Sequence, residues 1–185
     1  MILGLDISTS ITGFCVIDAE GEIIKCDAWD TRNKNKFKNE FAKAAYLKEE
    51  LVQLKVQYPI EKIYIEKPFT FFKSGGSSAK TMAILQRFNG IISWLVYEVF
   101  QKEPQYITAA QSRKHLGIKI ERGRDTKKQI IEWLIENVPN FFVEYTTHGN
   151  PKPKYFDIAD ATVIAKAGLK KLYSHKELDN KEKIV

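Results

Sequence analysis

Four acidic residues, hereafter the four acids, stand where predicted strands end or a predicted helix begins. Asp6 closes the short apolar run 2–5, and Glu66 closes the alternating stretch 60–66. Asp157 and Asp160 are three residues apart at the start of an Ala-rich helical pattern, so both project from one helix face. If the two strands are neighbours, about 4.8 Å apart, all four carboxylates can meet at one edge of a sheet.

Convergent carboxylates repel one another and raise one another's pKa unless a cation compensates them. Carboxylate oxygens favour Mg²⁺, with Mn²⁺ able to substitute, and no His/Cys cluster competes for a metal. Two such ions roughly 4 Å apart serve in-line displacement at a phosphodiester. The pattern therefore predicts two ions per active site, with Asp6 as the ligand that both ions share.

Two of the acids also have an ordinary structural explanation. Asp157 can be a helix N-cap, and Glu66 can be a charge at the end of a strand. Asp6 is harder to explain in this way, because burying a carboxylate after an apolar run costs free energy unless something binds it. No convincing Ser/His/Asp set offers a side-chain nucleophile instead.

The elements that must position these acids follow the order of a mixed sheet. We predict strands over 2–5, 12–19, 22–29, 60–66 and 106–109, and helices over 37–57, 79–100, 111–116, 126–136 and 157–172. Hairpin-linked strands pair antiparallel, whereas strands joined through helices pair parallel. We therefore expect an α/β fold with a mixed five-stranded sheet and helices on both faces, forming a single domain over 1–173 before a charged, frayed tail over 174–185.

Composition places the chain among ordinary globular proteins. Of its 185 residues 44% are hydrophobic and 28% charged, which excludes disordered and fibrous classes. The apolar run 90–100 is too short for the roughly 20 residues of a membrane span. We expect no signal peptide, because the sequence opens with MILGLD rather than with a basic segment and an apolar stretch. We expect a cytoplasmic protein with no membrane partner, in which Cys15 and Cys26 are buried thiols rather than a disulfide.

The positive charge is concentrated in residues 101–130, hereafter the basic segment. The whole chain carries 29 Lys and Arg against 23 Asp and Glu, a net charge of +6, and the basic segment holds eight cations against three anions. Such a concentration is typical of a protein that binds a polyanion, although a solvated lysine-rich surface would look the same.

Several motifs, in this order, resemble those of the RuvC-type Holliday junction resolvases, a family of the ribonuclease-H-like superfamily. ILGLDISTSITGFCVID (2–18) resembles the opening strand and hairpin, IEKPF (65–69) the motif with a catalytic Glu and a Phe three residues later, and DIADA (157–161) the last motif with its paired acids. KKQI (127–130) is similar to the family's basic segment. The chain departs from the family in having Asp6-Ile7-Ser8 where Asp-Pro-Gly is common, and in a longer loop before Lys127.

This resemblance implies a ribonuclease-H-like nuclease that resolves four-way DNA junctions as a homodimer by paired nicks. It implies that the four acids bind the metal ions and that Lys127 acts beside them, with Lys114, or Arg113 in its place, near the cleaved phosphate. Phe69 would stack on a base at the crossover. The residues expected to bind DNA are Phe69, Lys73, Arg113, Lys114, Lys119, Arg122, Arg124, Lys127 and Lys128. The short, lysine-rich form also resembles versions encoded by phages of low-GC Gram-positive hosts, lactococcal phages among them.

Other functions share parts of this pattern. DISTSITG (6–13) is similar to the phosphate loop of sugar kinases and actin-like ATPases, but those proteins need two such domains, which 185 residues do not provide. A ribonuclease-H-like nuclease acting on flap DNA or RNA–DNA hybrid would carry the same four acids. A junction-binding protein without catalysis is the third alternative; no small-molecule substrate is expected.

Overall fold

The computed structural model describes residues 1–68 and 79–182 of the chain. Its elements, in order, are β1 (Ile2–Asp6), β2 (Ile11–Ile17), β3 (Ile23–Asp30), α1 (Glu40–Gln57), β4 (Lys62–Glu66), α2 (Ala79–Phe100), β5 (Gln105–Ile107), α3 (Ala109–Leu116), α4 (Thr126–Asn137) and α5 (Lys154–Glu182). Within these ranges no helix is long and apolar enough to cross a bilayer.

The five strands form one mixed sheet in the order β3-β2-β1-β4-β5. β1 pairs antiparallel with β2, and β2 with β3, whereas β1 pairs parallel with β4, and β4 with β5. The predicted α/β fold with a mixed five-stranded sheet is therefore confirmed. Because β1, β3, β4 and β5 all run in the same direction, their carboxyl ends lie at one edge of the sheet, hereafter the carboxyl edge.

Alternating side chains of the strands form two separate cores. Leu3 and Leu5 of β1 pack with α1 and α2, a side hereafter called the α1–α2 face. Ile2 of β1 and Tyr64 of β4 point to the opposite side, the α5 face, which α3, α4 and α5 cover. Helices thus lie on both faces of the sheet, as predicted.

α5 lies unusually close to the sheet because glycines face it. A Cβ on Gly4 would collide with the backbone and side chain of α5 at Ala161 and Ala165, and a Cβ on Gly13 would collide with the carbonyl group of Asp157. Without a Cβ at these positions, the helix backbone rests directly on β1 and β2. This contact determines where the first turns of α5 stand relative to the ends of the strands.

The helix boundaries differ from the predictions at several ends. α1 begins at Glu40 rather than at 37, because the side chain of Asn39 accepts a hydrogen bond from the Ala42 amide (2.9 Å) and caps it. α5 begins at Lys154, so the N-cap explanation of Asp157 is wrong. It also extends to Glu182, beyond the predicted end at 172, since residues 173–182 contain neither Pro nor Gly to stop it.

The prediction of two buried thiols is also wrong. Cys15 and Cys26 form a disulfide between β2 and β3. They lie directly opposite each other in the strand register, with their Cα atoms 4.2 Å apart. The register of the hairpin brings the two sulfurs together, and composition alone does not reveal that register.

Candidate functional site

Asp6 and Glu66 end neighbouring parallel strands. Leu5 pairs with Ile65 in the register of β1 and β4, so the residues that follow them, Asp6 and Glu66, stand side by side at the carboxyl edge. The alternation of side chains turns both carboxylates toward the α5 face, because Gly4 and Tyr64, two residues earlier, face α5 as well. Both acids are only partly exposed.

Asp157 and Asp160 approach the same edge from above the sheet. They lie near the start of α5, three residues apart and therefore on one helix face. Gly13 brings this turn down onto the sheet, and Gly13 is the register partner of Asp6. The structure thus brings all four acids to one place, although they come from three elements that are distant in sequence.

Burial, together with repulsion between the acids, raises their pKa values. Burial, followed by the charges of Glu66, Asp160 and Asp157, raises the pKa of Asp6 well above its usual range. Burial and the charge of Asp160 raise the pKa of Glu66 to about 7. The pKa of Asp157 rises to about 6, mainly because of burial, and burial likewise raises the pKa of Asp160. The site concentrates more negative charge than its own surroundings neutralise.

Lys127 provides the main compensating charge. It lies in the first turn of α4, where the Asp125 side chain caps the helix by accepting a hydrogen bond from the Lys128 amide (3.0 Å). Its ammonium is 3.4 Å from Asp160 Oδ2, and it lowers the pKa of all four acids. Burial opposes the charge on Lys127, but the neighbouring acids outweigh it and raise the pKa of Lys127.

The donor set suits a hard divalent cation. Its oxygens are all carboxylate oxygens, and their raised pKa values reflect burial and, after it, a mutual repulsion that such a cation would relieve. The side chains are not drawn together into a cage, however. Within residues 1–68 and 79–173, no group of three or more His, Cys, Asp or Glu side chains is arranged so that it could hold a metal ion.

The cations of the basic segment differ in how close they come to the four acids. Arg113, on α3, lies near enough to lower the pKa of Glu66 and Asp160 by its charge. The next residue, Lys114, is exposed and forms no ion pair or hydrogen bond through its side chain with the described part of the chain. Arg113, rather than Lys114, is thus the residue of this pair whose charge acts on the four acids.

The other predicted DNA contacts are spread over the surface beyond α3. Arg124 is held in ion pairs with Glu121 (3.0 Å) and Glu132 (2.7 Å), so its charge is partly used within the protein. The Lys128 ammonium donates a hydrogen bond to Asn150 Oδ1 at 3.0 Å. Lys119 and Arg122 are exposed and have no side-chain partner among the residues that the structure describes. Phe69 and Lys73 lie outside the described residues.

Sequence reasoning missed two features of this site. Arg32, just after β3, lies close enough to lower the pKa of Asp157 by its charge. Gly4 and Gly13 allow the close approach of α5 that carries Asp157 and Asp160 into place. A glycine inside an alternating strand often marks the close approach of another backbone, so this second signal was present in the sequence.

The chain was also compared with known proteins. No family model matches it, and no curated protein sequence does. Among solved structures, RuvC of Thermus thermophilus in complex with a Holliday junction substrate superimposes with a TM-score of 0.65 at 12% identity, over 94% of each chain. A second structure of Thermus thermophilus RuvC has a TM-score of 0.63 at 12% identity, over 94% of this chain and 96% of that one.

The yeast mitochondrial Holliday junction resolvase Ydc2 is similar to the same extent. It has a TM-score of 0.62 at 14% identity, over 100% of this chain and 84% of its own. Identities this low show the fold alone. The chain has the same α/β fold as RuvC and Ydc2.

Proposed function

We propose that the chain is a metal-dependent endodeoxyribonuclease that resolves four-way DNA junctions by phosphodiester hydrolysis. The observation that carries this proposal is the convergence of the four acids at the carboxyl edge, where burial and mutual repulsion raise their pKa values. Structural carboxylates are normally paired or exposed, so four buried acids whose pKa values stay raised in spite of Lys127 indicate a functional site.

The four acids would hold two Mg²⁺ ions, for which Mn²⁺ can substitute. When bound, these ions polarise a phosphate oxygen and lower the pKa of a coordinated water. Lys127 is anchored by Asp160, and its ammonium also offers a donor to a phosphate oxygen beside the cluster. Arg113 adds a second positive charge near Glu66. This charge would stabilise the negative charge that develops on a phosphate during attack.

Branched DNA is the proposed substrate. The basic segment suits a phosphate backbone, and its first helix, α3, follows β5 from the carboxyl edge that carries the acids. Solved structures with the same fold include one holding a Holliday junction substrate and one of a Holliday junction resolvase. By the same likeness we propose that the protein is a homodimer, whose two sites would make paired nicks. We also propose that Phe69 stacks on a base at the crossover. The single domain over 1–173 and the phage origin stay predictions.

A junction-binding protein without catalysis is the second candidate. One observation favours it: in the part of the chain that the structure describes, no three side chains form a ready metal-binding group. In that case the four acids would bind no metal ion, and Lys127 would remain the cation that compensates their charge.

Cleavage assays in different metals separate the candidates. A four-way junction labelled on each strand is incubated with the protein in Mg²⁺, Mn²⁺, Ca²⁺ or EDTA, next to a flap, a linear duplex and an RNA–DNA hybrid. The proposed function predicts paired symmetric nicks in the junction with Mg²⁺ or Mn²⁺ only. Junction binding without cleavage in every metal would instead establish the second candidate, and preferred cleavage of the flap or hybrid would change the substrate.

An acid-to-amide variant tests the metal assignment. Asp6→Asn preserves side-chain shape and should abolish cleavage while junction binding in Ca²⁺ persists. Glu49→Gln, at an exposed position of α1, removes the same charge far from the site and should cut normally. A normal cleavage rate for Asp6→Asn would refute the assignment of the four acids.

A further inference from the structure

A second cation-rich stretch lies outside the basic segment. Residues 31–43, hereafter the β3–α1 segment, connect β3 to the first turn of α1. They contain five cations, Arg32, Lys34, Lys36, Lys38 and Lys43, and one anion, Glu40. That anion is already neutralised, since Arg87 of α2 pairs with Glu40 at 2.8 Å.

The β3–α1 segment leaves the sheet at the carboxyl edge, on the far side of the acids from the basic segment. The strand order places β3 at one margin and β5 at the other, with β1 and β4 and their acids between them. Four strand spacings of about 4.8 Å separate the margins by about 19 Å, comparable to the width of a duplex. Arg32 is close enough to Asp157 for its charge to lower the pKa of that carboxyl.

Hydrogen bonds fasten the β3–α1 segment to the turn that follows Asp6. The buried Thr31 hydroxyl donates to the carbonyl of Ser10 (3.1 Å), and the Thr31 amide donates to the same carbonyl (2.8 Å). The Lys43 ammonium donates to the Thr9 carbonyl. A strand of DNA held by this segment would therefore be held in register with the four acids.

Two of its charges are free for a ligand, whereas the Arg32 guanidinium is held in an ion pair with Asp30 and donates hydrogen bonds to its carboxylate. Lys34 and Lys38 are exposed, and their side chains have no hydrogen-bond or ion-pair partner within the described ranges. Lys36 is placed over two aromatic rings, with its ammonium 4.8 Å from the ring centre of Tyr46 and 5.1 Å from that of Phe37. Unpaired lysines beside an ordered loop are the kind of surface that phosphate backbones contact.

We propose that the β3–α1 segment is a second surface for the DNA backbone, which binds the strand on the Asp157 side of the acids while the basic segment binds the other side. The inference rests on the proposed function and extends it, because it assigns DNA contacts to residues outside the basic segment. It predicts that affinity comes from both margins of the sheet.

The salt dependence of junction binding tests this surface. Affinity for a labelled four-way junction is measured by fluorescence anisotropy in Ca²⁺ over a range of KCl concentrations, for the wild type and for Lys34→Gln/Lys38→Gln. Log affinity falls as log salt rises, and each lost phosphate contact makes this fall shallower by about 0.9. For the double variant the slope should therefore be shallower by about 2. Lys25→Gln/Lys62→Gln removes two exposed lysines near the amino ends of β3 and β4, at the opposite sheet edge and outside both surfaces, and should leave the slope unchanged.

A third double variant tests whether the two surfaces act independently. Lys119→Gln/Arg122→Gln should lower the slope by a similar amount, and its effect should add to that of Lys34→Gln/Lys38→Gln because the sites are well separated. An unchanged slope for Lys34→Gln/Lys38→Gln, with a wild type that binds and cuts the junction, would overturn this proposal and leave the proposed function standing. A wild type that does not bind junction DNA would overturn both.

Discussion

The two faces of the sheet are packed in different ways. The α1–α2 face is filled by large apolar side chains, among them the fully buried Leu47, Phe88 and Ile92. On the α5 face, glycines of β1 and β2 meet the helix backbone directly, and the side chains of α5 there are largely alanines. A large side chain can change rotamer to absorb a displacement, whereas contact between two backbones leaves no such freedom. The face that carries Asp157 and Asp160 is the one whose position is more rigidly defined.

The faces also differ in charge. The buried part of the α1–α2 face is apolar apart from a few neutral groups such as Asn89 and Ser93. The α5 face ends, at the carboxyl edge, in four acids whose charges repel one another. One face therefore stabilises the fold, while the other holds a repulsion between carboxylates that Lys127 offsets only in part.

The largest effect should come from removing one repelled charge. Glu66→Gln should lower the cleavage rate by at least about a hundredfold, since it removes a proposed metal ligand. In EDTA at pH 8 the same variant should melt at a higher temperature than the wild type, because the amide cannot carry the charge that burial and Asp160 oppose. Cleavage rates and thermal melts measure both.

Glu49→Gln is the matched control, because the same change is made on an exposed position of α1. It should alter neither quantity. A melting temperature for Glu66→Gln below that of the wild type would contradict this prediction, because it would show that the charge of Glu66 stabilises the folded protein.

The next effect tests the rigid contact itself. Gly13→Ala forces a Cβ against the Asp157 carbonyl, so α5 must shift. We expect a loss of about 1–3 kcal/mol in the free energy of unfolding, the usual cost of overpacking, and a fall in cleavage per folded molecule. Ile92→Val on the α1–α2 face should cost about 0.5–1.5 kcal/mol and leave cleavage per folded molecule unchanged.

If Gly13→Ala lost stability but retained full cleavage, the close contact would not position the acids. Urea unfolding and single-turnover cleavage on the same preparations separate the two effects.

The charge difference between the faces also predicts a dependence of stability on pH. The folded-state pKa values of Glu66 and Asp157, about 7 and 6, lie above the values of about 4.3 and 3.9 in an unfolded chain. The folded state therefore binds protons more tightly, so this contribution is complete below about pH 4 and is lost as pH rises through 6 to 7. In EDTA the melting temperature should fall between pH 5.5 and pH 8.

Two controls sharpen this prediction. Glu66→Gln should show a shallower fall over the same range, and added Mg²⁺ should raise the melting temperature more at pH 8 than at pH 5.5. The acids with lowered pKa, such as Glu40 and Glu144, act with the opposite sign, but they titrate below this range. A melting temperature that rises from pH 5.5 to pH 8 would contradict the charge assignment.

Much of this architecture could be predicted from local patterns. The apolar run of β1 and the alternation of β4, each closed by an acid, identified Asp6 and Glu66. The helical spacing identified Asp157 and Asp160. These signals depend on neighbouring residues only. The Cys15–Cys26 disulfide depends on strand register across a hairpin. Register and close approach are set by the whole fold and have only weak local signals.

The positions of individual cations were the least predictable, for the same reason. A basic segment can be counted, but the direction in which each side chain points depends on how its helix sits on the sheet. Arg113 and Lys114 are adjacent in sequence, yet Arg113 affects the acids and Lys114 is exposed. Arg32 lies 69 residues before the start of the basic segment and still lowers the pKa of Asp157 by its charge.

The smallest predicted effect uses that adjacent pair. Arg113→Gln removes a charge that lowers the pKa of Glu66 and Asp160, so it should weaken cleavage and move the pH dependence of cleavage upward. Lys114→Gln removes the same charge one residue later and should lower only the salt slope of junction binding, by about 0.9. The pH–rate profile is the deciding measurement, since a lost phosphate contact alone would change affinity without moving the profile. An equal shift for both variants would mean that the charge of α3 acts as a diffuse field and that neither side chain has a specific place beside the four acids.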